Sequence, residues 1–147
     1  MITELNELGQ PVIQLTQDDY DNCLKIVDLM LEASERLNFK NSKYDMNPKQ
    51  AYAVSFCGVL GEQAVAKYFD YDYSYLGYDP KRNDVLGYEV RATYHENGCL
   101  LTHAPDDKHY GDKPGRYILV TIDQLTQEAT LRGFSTLKRC NERKDNY

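Results

Sequence analysis

Apolar positions recur at helical spacing from Thr16 to about Leu37, where Tyr20, Cys23, Leu24, Val27, Met30, Leu31 and Ser34 share one face. Thr16 is placed to cap this helix, with Asp19 three residues on, and the acidic first turn suits the helix dipole. Asn38 to Met46 is polar and reads as a loop. A second helix is expected from Asn47-Pro48 to about Tyr68, with Asn as the cap and Pro at the first helical position. Its stripe is Ala51, Val54, Ser55, Gly58, Glu62, Val65 and Phe69, which places Glu62 on the face that packs inward. Carboxylates are rarely buried without a partner. Gly58 and Gly61 lower helix propensity and point to close approach by another backbone.

From Asn83 the period changes to two. Asp84-Val85, a tight Leu86-Gly87 corner and Tyr88 to Thr93 read as a hairpin, and Asn97-Gly98 is a second turn before a strand at Cys99–Thr102. A polar loop, His103 to Gly115, leads to the most apolar strand, Tyr117–Ile122. A last strand, Ala129–Phe134, precedes a short helix expected from Thr136. This order of helices and strands predicts an α+β (α/β) fold, a central mixed β-sheet flanked by helices. The chain is read as a single domain over 1–147, with an N-terminal helix and loop (1–46), a core (47–135) and a basic tail (136–147).

The composition narrows the picture further. The 147 residues carry 17 Lys plus Arg against 23 Asp plus Glu, a net charge of -6. Residues 1–80 hold 6 basic and 13 acidic side chains, and residues 81–147 hold 11 and 10. A phosphate-binding face is therefore expected from the second half, around Lys81, Arg82, Lys108, Lys113, Arg116 and the tail Lys138, Arg139, Arg143 and Lys144. No apolar run approaches a membrane span, and the opening residues lack a signal-peptide plan, so a cytoplasmic protein is expected. Cys23, Cys57, Cys99 and Cys140 are too widely spread for a CxxC pair, and His95, His103 and His109 lack zinc-site spacing. They are read as reduced thiols and scattered loop histidines. The tyrosine- and aspartate-dense run YFDYDYSYLGYD at 68–79 reads as a core-capping or partner-contact segment, because its three aspartates would repel phosphate from stacked bases.

One constellation carries chemistry. Glu89 and Arg91 are two apart and project from one face of a strand. Asp84 lies across the tight turn, and Glu62 reaches in if its helix packs on the sheet. Three carboxylates and a guanidinium would then converge. Three acids do not stay ionised together without a cation, and Mg²⁺ (or Mn²⁺) bound by Asp84, Glu89, Glu62 and the Val90 carbonyl would resolve the repulsion. A metal so held can activate water for attack on a phosphodiester. The plain alternative is a hairpin with a surface Glu–Arg pair, of a kind that contributes little.

These residues resemble the PD-(D/E)XK nuclease superfamily: Glu62 within GVLGEQAVAKYF, Asp84 within NDVLGYEV, and Glu89-Val90-Arg91 as the triplet. The resemblance is strongest to small phage-encoded proteins and covers roughly residues 48–134. It implies a restriction-endonuclease-like core, Mg²⁺-dependent hydrolysis of DNA, and the host cytoplasm as location if the protein is phage-encoded; a homodimer is compatible with it. Asn83 stands where the family has proline and Arg91 where it has lysine. Lysine can shed its proton in a buried site and orient or activate water, whereas arginine stays charged and cannot act as a base. Arg91 can still stabilise the phosphate through a bidentate contact, leaving water activation to the metal or to a lysine such as Lys81. A second reading keeps the fold and loses catalysis: a binding or inhibitor protein acting on a host defence or replication protein, with its acidic surface as a DNA mimic. A third, a structural component of a virion or host complex, rests on the tyrosine-rich run alone.

Overall fold

In the computed structural model, residues 4–36, 48–73, 88–95 and 116–136 are described. The cap expected at Thr16 is reciprocal. Its hydroxyl accepts from the Asp19 N–H at 3.2 Å, and the Asp19 carboxylate accepts from the Thr16 N–H at 2.8 Å. Helix α1 accordingly runs Gln17–Arg36. Helix α2 spans Pro48–Tyr68, as the Asn-Pro signal predicts. It ends in a Schellman turn, where the Tyr71 N–H bonds the Ala66 carbonyl at 2.7 Å and the Asp70 N–H bonds Lys67 at 3.2 Å. Asp70 takes the left-handed position of that turn, with φ at 56°.

Five strands form one mixed sheet: β1 (Glu4–Leu5), β2 (Pro11–Gln14), β3 (Glu89–Thr93), β4 (Arg116–Asp123) and β5 (Glu128–Thr136). Their order is β1-β2-β5-β4-β3. Every pairing is antiparallel except β3 with β4, which is parallel. Helix α2 lies on the sheet and α1 packs against α2. The core between them holds Ile13 and Leu15 from the β2 end, Cys23, Ile26 and Val27 from α1, Val59, Leu60 and Val65 from α2, and Val90, Ile118, Val120, Ile122 and Leu131 from the sheet. No helix among the described residues is long and apolar enough to cross a membrane.

The α+β architecture agrees with the sequence pattern, but several details differ. Leu24 is exposed and Ile26 is buried in its place. Val54 is 57% exposed, because the one-face template does not describe α2. This helix is sandwiched between α1 and the sheet, so its middle turns are buried nearly all round, Gln63 included. Thr136 is the last residue of β5, and the helix expected to follow lies outside the described residues. Strands β1 and β2 join the sheet from a stretch that carries no strand signal. The first half of the expected hairpin, the Asn97-Gly98 turn, the Cys99–Thr102 strand and the His103–Gly115 loop lie outside the described residues.

Candidate functional site

Gly61 sets the position of α2. A Cβ built there would stand 2.5 Å from the Ala92 Cβ and 3.4 Å from a Val90 methyl, so helix and strand touch where only glycine fits. The close approach expected of the two glycines belongs to Gly61 alone; Gly58 has open space. Val90 and Ala92 therefore face α2, and strand alternation sends Glu89 and Arg91 to the opposite face of β3. Register with β4 places Tyr117 beside Glu89 and Leu119 beside Arg91 on that face.

The triplet forms one cluster there. The Arg91 guanidinium lies 3.3 Å from the Glu89 carboxylate and 3.4 Å from the Val90 carbonyl. Its carbon sits 5.5 Å from the centre of the Tyr117 ring, within cation–π range. Tyr117 is fully buried, so this floor is fixed, and the flat guanidinium rests on it better than an ammonium would. The ion pair is half-buried, which makes it less screened than a surface pair.

Glu62, also half-buried, belongs to a second cluster on the α2 side. The Tyr73 hydroxyl donates to its carboxylate. Phe69, seven residues on and hence on the same helical face, stacks on Tyr88, the residue before β3, with ring centres 5.7 Å apart. On the opposite flank of α2, Lys67 donates to the Gln14 carbonyl at 2.9 Å. Through Phe69 the flank bearing Glu62 meets Tyr88 beside β3, the last strand in the described order. The chain returns over the helices at Tyr73, whose carbonyl accepts from the Asn22 amide at 3.2 Å while the same amide donates to Gln63 at 2.9 Å.

The structure therefore joins Glu89, Val90 and Arg91, and holds Glu62 on the neighbouring helix flank. Asp84, the third acid of the expected site, lies outside the described residues, as do Lys81 and the basic positions Arg82, Lys108, Lys113, Lys138, Arg139, Arg143 and Lys144. Among the described residues no group of three or more His, Cys, Asp and Glu is placed to hold a metal. The donors present, two carboxylates and a backbone carbonyl, are oxygens of the type a hard divalent ion takes. Two residues enter that the sequence reading did not single out, Tyr73 and Tyr117. The alternating tyrosines signalled Tyr73 weakly; for Tyr117, its place two strand positions before the apolar Leu119 gave no signal.

The buried thiols take no part in this site. Burial pushes Cys23 up to about 12 and Cys57 up to about 11, the latter against a hydrogen bond from Tyr94 that works the other way. Both are free, and as neutral thiols they are poor nucleophiles and ligands. Burial likewise raises Tyr94 and Tyr20, which keeps their hydroxyls protonated at neutral pH. No family model, curated protein or solved structure matches this chain.

Proposed function

We propose that the protein is a Mg²⁺-dependent DNA nuclease of the PD-(D/E)XK type, with Glu62, Asp84, Glu89 and Arg91 as its working residues. The observation that supports this reading is the contact of Gly61 with Ala92, which packs the helix that carries Glu62 against the strand that carries the Glu89-Val90-Arg91 triplet. The oxygen-only donors and the fixed guanidinium add support. Glu62, Asp84, Glu89 and the Val90 carbonyl would hold the ion, whose chemistry is to lower the pKa of water and offset charge on the phosphoryl oxygens. Arg91 stays protonated and donates hydrogen bonds to the phosphate. Tyr73 donates to Glu62, fixing which way that carboxylate turns.

The test is cleavage of supercoiled, linear and single-stranded DNA under Mg²⁺ or Mn²⁺ titration. Glu89→Gln is expected to abolish cleavage. Arg91→Ala should lower the rate by about 10²–10³, as loss of one charge-stabilising donor does. Arg91→Lys should keep part of the activity. A Glu89→Gln sample that cuts like the parent would place the activity elsewhere.

One observation favours the second reading, a binding protein on the same fold. The guanidinium of Arg91 is bonded to the Glu89 carboxylate and the Val90 carbonyl, the same oxygens an ion would use. A built-in cation there leaves less need for a metal. On this reading the parent neither cuts DNA nor binds Mn²⁺ in calorimetry, and Mn²⁺ binding emerges only in Arg91→Ala.

A further inference from the structure

We propose that the turn ending α2, formed by Tyr68, Phe69 and Tyr71 with Asp70 and Asp72, is a docking surface for an arginine-rich segment of a partner protein. The left-handed Asp70 reverses the chain and leaves the three aromatic rings at the surface, 36%, 37% and 41% exposed. Exposed aromatic surface of this kind marks interaction sites. Two of the rings are already arranged. Tyr68 meets Phe69 edge-on at 5.0 Å, and Phe69 is held against Tyr88. A partner therefore orders little on docking, which lowers the entropy cost of binding.

Charge selects the partner. Asp70 and Asp72, which alternate with the aromatic residues in the chain, are exposed. The bond from Asn22 to the Tyr73 carbonyl brings the first turns of α1 alongside, where Asp18 and Asp21 are also exposed. Lys67, at the end of α2, has its ammonium on Asp19 at 2.7 Å and on the Gln14 carbonyl. A phosphate backbone would be repelled here. A guanidinium matches both elements of the surface, because it stacks on aromatic faces and takes carboxylates through two parallel hydrogen bonds. Arginine is favoured over lysine for the same reason.

The probe is fluorescein-labelled deca-arginine, followed by anisotropy with the full chain. Deca-arginine is expected to bind, with deca-lysine weaker by about fivefold for want of the planar stacking contact. Tyr71→Ala and Tyr68→Ala should each weaken deca-arginine binding by about fivefold, the effect of one exposed cation–π contact. Asn tolerates the left-handed conformation, so Asp70→Asn with Asp72→Asn should weaken binding without unfolding the turn. The charge-matched pair Glu4→Gln with Glu7→Gln, at exposed positions remote in sequence, should leave binding unchanged. Unfolding temperatures establish that each variant is folded. Equal binding of deca-lysine, equal loss in the control pair, no loss in the tyrosine variants, or a single-stranded oligonucleotide bound through these tyrosines would each overturn the proposal.

Discussion

Gly61 is the residue on which the arrangement of helix and strand turns. Its missing side chain lets α2 rest directly on Ala92, and the contacting atom on the strand side is a Cβ fixed to the backbone, with no far end to swing away. Gly61→Ala should therefore destabilise the fold by about 1–3 kcal/mol, the usual range for overpacking, despite alanine's better helix propensity. Adding Ala92→Gly should recover part of that loss, since it removes the atom in conflict. Urea unfolding of the parent, both single variants and the double variant would measure the coupling; strictly additive effects would mean that the two residues do not press on each other. The sequence already pointed to this contact, because a glycine inside a helix has a cost that needs a reason. It did not point to Tyr73 or Tyr117, whose partners Glu62 and Arg91 are brought to them by the tertiary fold alone.

Among the elements, α1 is tied down at its first turn. Burial works against the charge of Asp19, but the Lys67 ammonium and the N–H and hydroxyl of Thr16 outweigh it, holding the carboxyl below its ordinary value. A carboxyl with its pKa lowered on folding stabilises the fold above its unfolded value, near about 4. That contribution is lost as pH falls through the folded value. Asp19→Asn should thus be less stable than the parent at pH 7, with the difference shrinking as the medium is acidified below about pH 4. Urea midpoints of both proteins across that interval would show it, and a constant difference would contradict it. Both helices were legible because caps and periodicity are local signals, β4 was legible as a continuous apolar run, and β5 as a long strand following it. Strands β1 and β2 were not. Together they are short, Pro11 opens β2, and a proline within a short run argues against a strand until its position at the strand start is known. The stripe assigned to α2 failed for the opposite reason, since a helix buried on two sides has no single periodic face.

For the whole molecule, the fold class follows from the sequence while the site is only half visible. The strand triplet forms one cluster and the helix acid another, on the side of β3 that faces α2, and Asp84 lies outside the described residues. The topology carries one more consequence, and it concerns time. Strand β5 is the sheet's central member: it joins β2 on one side to β4 on the other, with Val12 opposite Thr130. The first strands to leave a ribosome therefore have no partner but each other until nearly the whole described sheet has been translated. At about 5–20 residues per second the wait is roughly 6–24 s. During it the edge of β2 is open to other chains, and pairing across so long a loop is intrinsically slow. A nascent chain arrested after residue 127 should remain sensitive to protease along β1 and β2, and become resistant once β5 has emerged. Early resistance at that length would mean the N-terminal strands find shelter before their sheet exists.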